Sequence, residues 1–284
     1  MPLNLSENIK HLIAQSLGED IGHGDITTLA TIPESLTGKG YVKAKSSGIL
    51  CGQDIFNEVF NQVRPSVGLT WHCHDGQALS SGQKCVSFTG PMRSILTAER
   101  TALNFLQRMS GIATLTGQYV ELVCHTKAKI IDTRKTTPIW RELEKYAVQT
   151  GGGSNHRMGL YDMFLIKDNH ITAAGSISEA IQRAIRYNEK SGTQFAIEIE
   201  TKNLDEIRQA LQFPVSRIML DNMSIDDMKQ AVEIIANRCQ VEASGGVSLA
   251  TVKAIAEIGV DLISVGALTH SAPAMDLSLL VEKD

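Results

Sequence analysis

A chain of 284 residues is long enough to bury a substantial core, in one large domain or two moderate ones. With 43% hydrophobic and 20% charged residues it has the make-up of a soluble globular protein, and no stretch approaches the roughly 18–20 uninterrupted apolar residues that a membrane helix needs. A net charge of −4 excludes a surface-wide electrostatic footprint for nucleic acid or anionic membrane, so any cationic site has to be a local concentration of Arg and Lys.

The first segment, "MPLNLSENIKHLIAQSLGEDIG", lacks a basic start followed by an unbroken apolar run, so no secretory signal is expected. Five scattered cysteines without a C-x-x-C pair argue against a disulfide framework and for a reducing compartment, with the cytoplasm as the default. Within residues 6–17, Ile9, Leu12, Ile13 and Leu17 recur at helical spacing behind Ser6, a suitable N-cap. "GEDIGHGDITT" (18–28) has the glycines of an anion loop but follows a helix rather than a strand, and predicts a structural turn.

From about 40 to 90, short segments such as "GYVKAK", "SGILCG", "LTWHCH" and "QKCVSF" are punctuated by Gly and Ser and predict antiparallel strands and turns. His72 and His74 fall on one face of such a strand, but two ligands without partners do not make a metal site. Residues 94–124 contain no proline and predict a helix, with Gly111 and Gly117 as possible breaks and the domain boundary in this region. Arg100, Asn104 and Arg108 share one face of that helix, where arginines are usually solvated.

From 128 onward the texture changes again. "AKIIDT", "DMFLIKD", "QFAIEIE", "SRIMLDN", "QVEASGG" and "DLISVGA" are continuous apolar runs, most of them separated by helix-like stretches, as parallel strands covered on both faces are. Glu200 to Asp221, Asp221 to Ser244 and Ser244 to Gly266 are separations of 21, 23 and 22 positions, a regularity that favours an α/β barrel over an open sheet.

Barrel active sites lie at the C-terminal ends of the strands. Here those ends read Asp132-Thr133-Arg134-Lys135, Lys167-Asp168-Asn169-His170, Glu200, Asp221-Asn222, Ser244-Gly245-Gly246 and Gly266, with His156 and Arg157 between the first two. Arg supplies paired donors that match carboxylate or phosphate, and Lys adds a mobile point charge. Glycine loops let backbone N–H groups approach phosphate oxygens, and Glu200 with Asp221 suits Mg²⁺ or sugar hydroxyls. Any one of these residues alone is equally a solvated loop charge; the recurrence at matched strand ends points to an anion-handling α/β-barrel enzyme.

"EDIGHGDITT", "AERTALNFLQRMSGIAT", "DTRKTTPIWRELEKYAVQTGGGSNHRMGLYDMFLIKDNH", "IEIE", "MLDN", "EASGG" and "ISVGALTHSAPAMDLSL" follow one another in this order. Together they resemble the quinolinate phosphoribosyltransferase family, the carboxylating nicotinate-nucleotide diphosphorylases. The resemblance implies an α/β protein with an N-terminal α+β open sandwich (1–115), on which a C-terminal tail (271–284) packs back, and an incomplete, TIM-like α/β barrel (116–270). It implies quinolinate and phosphoribosyl pyrophosphate (PRPP) as substrates, Mg²⁺ with the PRPP, no organic cofactor, and no nucleic-acid or membrane partner.

By the same resemblance Lys135, Lys167, Glu200 and Asp221 are catalytic, the two carboxylates also facing Mg²⁺ and the ribose. Arg134, Lys135, His156, Arg157 and Lys167 hold the carboxylates of quinolinate and the phosphates, with Thr133 beside them. Ser244, Gly245 and Gly246 cradle the 5′-phosphate together with Val265, Gly266 and Ala267. A homodimer or larger assembly is implied, in which Arg100 of one subunit completes its neighbour's site. The rival readings are a related phosphoribosyltransferase with another substrate, a Schiff-base aldolase on the same barrel using Lys135 or Lys167, and a non-catalytic anion-binding protein.

Overall fold

The structure, a computed structural model, describes residue 3 and residues 5–282; Met1, Pro2, Asn4, Lys283 and Asp284 of the expected domain ranges lie outside the described residues. It divides into two compact units, one of residues 1–117, 137–152 and 271–284, the other of residues 118–136 and 153–270.

In the first unit α1 (Glu7–Ile21) begins at Ser6, whose hydroxyl accepts from the Ile9 N–H, and buries Ile9, Leu12, Ile13 and Leu17. Gly22, at φ 51°, ends it. The Asp25 carboxylate then accepts from the Thr28 N–H at 3.0 Å and starts α2 (Ile26–Thr31), so the turn expected over 18–28 is confined to residues 22–25, between two helices. There follow β1 (Thr37–Ala44), β2 (Gly48–Ile49), α3 (Gln53–Val63), β3 (Gly68–Trp71), β4 (Ala78–Leu79) and β5 (Lys84–Pro91). β5 lies between β1 and β3, antiparallel to both. Because β3 stops at Trp71, His72 and His74 do not share a strand face: His72 meets the Ser87 hydroxyl at 2.7 Å and His74 the Asp75 carbonyl at 3.0 Å.

The helix α4 (Met92–Val123) runs unbroken through Gly111 and Gly117. These glycines are packing positions rather than breaks: a Cβ at Gly111 would strike the Pro273 carbonyl, and one at Gly117 the Ile49 side chain. Arg108 is not solvated either, donating to the Ala272 carbonyl at 2.7 Å and to Glu144 at 3.0 Å.

After β6 (Lys129–Ile131) comes α5 (Arg141–Thr150). Residues 137–152 correct the expected boundaries, for they lie within the range assigned to the barrel yet belong to the first unit. Side-chain chemistry decides this. Trp140 stacks on Phe105 at 4.7 Å, the Tyr146 hydroxyl donates to Asp75 at 2.9 Å, and fully buried Glu144 takes Arg108.

The second unit continues with β7 (Phe164–Ile166), α6 (Asp168–Ala174), α7 (Ile177–Ser191), β8 (Ile197–Thr201), α8 (Leu204–Ala210), β9 (Arg217–Asp221), α9 (Ile225–Ile235), β10 (Gln240–Ser244), α10 (Val252–Glu257), β11 (Leu262–Ser264) and α11 (Ala267–His270). Its six strands, the six apolar runs of the sequence, form one parallel sheet in the order β6-β11-β10-β9-β8-β7. A single parallel bridge from Ile131 to Ser154 extends the β6 edge, and among the described residues β6 and β7 are the two edges of the sheet, so the barrel is incomplete. The last strand, β12 (Leu277–Val281), pairs antiparallel with β1 and completes a four-stranded sheet, β12-β1-β5-β3, in the first unit. The protein thus joins an α+β unit to an incomplete α/β barrel.

Candidate active site

Successive side chains on a strand face opposite ways, so each barrel strand sends one alternating set to the helices and the other inward. On β8, Ile197 and Ile199 form the first set and Glu198 and Glu200 the second; on β9 the inward set is Arg217, Met219 and Asp221; on β10 it is Gln240, Glu242 and Ser244. Register aligns Glu200 with Met219 and Ser244 with Asp221. The result is polar residues in two tiers, Glu200, Asp221 and Ser244 at the strand ends and Glu198, Glu242 and Arg217 deeper.

A cavity of about 410 Å³ opens over the upper tier. It is lined by Thr133, Arg134, Lys135, His156, Arg157, Lys167, Glu200, Asp221 and Ser244, all expected from the sequence, together with Leu165, Met219, Glu242 and Ser264, which were not. This volume lies in the range of small-molecule sites.

The cations are held by their backbones more than by counter-charges. Thr269 donates its hydroxyl to the Lys135 carbonyl at 2.7 Å, and the Lys135 N–H donates to Thr133 at 3.0 Å. Arg157 donates one guanidinium N–H to the Met163 carbonyl at 3.2 Å, while the Nε groups of Arg134 and Arg157 are buried without a hydrogen-bond partner. Burial, and after it the charge of Arg134, pulls Arg157 below its ordinary pKa. Two guanidiniums close enough to repel, each with an unsatisfied donor, form a site that is incomplete without an anion.

Across the cavity Glu200 and Asp221 form the opposite kind of pair. Burial first, then the Asp221 charge, raises the Glu200 pKa, and Lys167 Nζ stands 3.7 Å from Glu200 Oε2. Lys167 also N-caps α6, its N–H donating to His170 Nδ1 at 2.9 Å. Asn222 (φ 53°), Gly245 (φ 91°) and Gly246 (φ 61°) take left-handed backbone after β9 and β10. Gly245 has no alternative, since a Cβ there would collide with the Asn222 carboxamide.

Residues 112–280 match the C-terminal domain of quinolinate phosphoribosyl transferase, and residues 25–110 match its N-terminal domain. The chain belongs to the quinolinate phosphoribosyltransferase family. It is 41% identical over 100% of its length to 85% of a Nicotiana glauca quinolinate phosphoribosyltransferase [decarboxylating], named as mitochondrial. It is 42% identical to a probable nicotinate-nucleotide pyrophosphorylase [carboxylating] of Synechocystis, covering 96% of this chain and 92% of that one. The solved nicotinate-nucleotide pyrophosphorylase of Francisella tularensis superimposes with a TM-score of 0.93 at 43% identity, covering 97% of this chain and 96% of that one.

Within this quinolinate phosphoribosyltransferase-family chain, Gly245, Gly246, Val265, Gly266 and Ala267 are not among the residues lining the cavity, although Gly266 stands against Lys135: a Cβ there would lie 3.2 Å from Lys135 Cδ. Arg100 is exposed on α4 in the first unit and does not line the cavity. Glu198, Glu242 and Arg217 are the charged residues that sequence reading passed over. Each sits two or four positions before a residue that was singled out on the same strand, Glu200, Ser244 or Asp221, and the period of two would have placed them on the same inward face.

Proposed function

We propose that the protein transfers the phosphoribosyl group of PRPP to the nitrogen of quinolinate, releasing pyrophosphate and CO₂ and forming nicotinate mononucleotide. The observation that carries this is the pairing of Arg134 with Arg157, both with unpartnered donors, opposite Glu200 and Asp221 in one cavity. A pyridine dicarboxylate is an anion that two adjacent guanidiniums match, and Lys135 and Lys167, which line the same cavity, can meet phosphate oxygens.

As the pyridine nitrogen attacks the anomeric carbon and pyrophosphate leaves, the ribosyl group gathers oxocarbenium-like positive charge. Glu200 and Asp221 stabilise that charge and orient the ribose hydroxyls, while Lys135 and Lys167 stabilise the departing pyrophosphate, so catalysis is positioning and preorganised electrostatics. The carbon–carboxylate bond beside the quaternised nitrogen then breaks, releasing CO₂ and leaving its electron pair on that ring carbon, where the positive nitrogen stabilises it until it takes up a proton from water. Glu200 and Asp221 also fit Mg²⁺, because they are hard oxygen donors and the Asp221 charge raises the Glu200 pKa, a repulsion that a divalent cation would relieve. When bound, Mg²⁺ would supply charge neutralisation to the pyrophosphate. Arg100 is assigned to a neighbouring copy's site in a homodimer or larger assembly, and the five free cysteines favour the cytoplasm.

The test is the release of CO₂ and pyrophosphate from quinolinate plus PRPP, with Mg²⁺ present and then chelated. Release of both with Mg²⁺ and of neither after chelation is expected. Binding without turnover in the presence of Mg²⁺ would refute the reading.

A further inference from the structure

At the cavity floor, which Glu242 and His156 help to line, the deeper tier gathers into one group of charges. Glu198 and Glu242 are wholly buried. Their Oε2 atoms lie 3.1 and 3.6 Å from His156 Nε2, and 3.4 and 2.8 Å from Arg217 Nη1. On its other side the same imidazole accepts the Arg157 backbone N–H at Nδ1, at 2.6 Å, and the His156 backbone N–H donates to Asp132 at 2.9 Å.

These contacts dictate the state of the ring. A nitrogen that accepts a hydrogen bond carries no proton, so the ring proton belongs on Nε2, facing the carboxylates, and the imidazole is neutral. His156 is then a strut rather than one more cation for the substrate. Two carboxylates and a histidine could also ligate a metal by residue type. Here, however, the Arg217 guanidinium already provides the positive charge that both carboxylates share.

We propose, resting on the reading of the cavity given above, that Glu242 is a positioning residue. With Glu198 and Arg217 it fixes the His156 imidazole from beneath, and the ring in turn fixes the Arg157 backbone so that its guanidinium stands beside Arg134 for the carboxylates of quinolinate. The arrangement is that of a binding group aimed through the charges packed around its neighbour, whose loss weakens binding by disturbing that aim. Met163 adds a second hold on Arg157 through its carbonyl, so the effect falls on the aim of the guanidinium, not on its presence.

Two measurements test this. In protein labelled with nitrogen-15 at histidine, without ligand at neutral pH, His156 is assigned by the signal lost in His156→Asn and is expected to show a protonated Nε2 and a bare Nδ1. A doubly protonated ring, or a proton on Nδ1, overturns the proposal. In the second, Glu242→Leu is expected to weaken quinolinate binding about tenfold by calorimetry while PRPP binding changes less than about twofold. Glu242→Gln, which keeps a polar group of the same shape beside His156 Nε2 and an acceptor for Arg217 Nη1, is expected to restore quinolinate binding to within about threefold. Equal weakening of both ligands, or unchanged quinolinate binding in folded Glu242→Leu, overturns it. The tautomer measurement needs neither a Glu242 variant nor turnover, so it stands if Glu242→Leu does not fold, and it can succeed even where the transferase reading fails.

Discussion

Glu242→Gln removes a buried carboxyl at nearly constant shape, and its effect on stability should depend on pH. Burial, and after it the nearby Glu198 charge, pushes the Glu242 pKa from 4.5 up to about 7. As pH rises, the unfolded chain loses this proton near 4.5 while the folded protein keeps it until about 7. Between those values the folded state binds more protons, so stability falls as pH rises. The contribution is fully present below about 4.5 and gone above about 7, and at about 1.36 kcal/mol per pH unit across that window it amounts to about 3 kcal/mol.

Glutamine does not titrate and so escapes this loss. At about 2–4 °C per kcal/mol for a unit of this size, the melting temperature of the variant relative to the parent should move in the variant's favour by roughly 6–12 °C between pH 5 and pH 8. Titrating groups that do not interact with Glu242 cancel in the difference. Glu198 and Glu242 titrate as a pair, so the quantity to compare is the total change across the window. Thermal unfolding of both proteins followed by circular dichroism at pH 5, 6, 7 and 8 measures it. An offset that stays constant over that range would refute the argument that a proton is held in the barrel core.

Arg134→Ala and Arg157→Ala should each remove charge-assisted hydrogen bonds of about 1.5–3 kcal/mol and weaken quinolinate binding roughly tenfold or more; calorimetry showing no change in both variants contradicts the assignment. Arg100→Ala should be inactive alone but regain partial activity when mixed with a Glu200→Ala protein, because hybrid assemblies rebuild one intact site; no recovery after proven subunit exchange removes the shared-site idea. Glu144→Ala removes the ion-pair partner of Arg108 and the acceptor of two Thr137 donors, and should cost about 3–5 kcal/mol in denaturant titration. A loss below about 1 kcal/mol would mean that the ion pair does not hold residues 137–152 in the first unit.

Much of the second unit was legible because parallel strands covered on both faces leave continuous apolar runs, and all six runs are strands of the sheet. The polar residues ending them were legible for a related reason: a barrel collects strand ends at one face, and nine of the expected residues line one cavity. Reading only the strand ends hid the deeper tier. Glu198 lies in "IEIE" and Glu242 in "EASGG", where an acidic residue inside an apolar run carries no local sign of which partners will neutralise it.

The pattern of apolar runs, helix starts and strand-end charges is local, set by side-chain period and capping chemistry within a few residues, and the chain alone determined it. Ser6, Asp25 and the inward-facing Glu200, Asp221 and Ser244 are of this kind. Only the tertiary structure decided that residues 137–152 join the first unit, that Gly111 and Gly117 admit neighbouring groups instead of breaking a helix, and that Arg217, Glu198, Glu242 and His156 close into one group. Those outcomes depend on groups distant in sequence reaching one another within a few ångströms, where burial makes each charge need its partner.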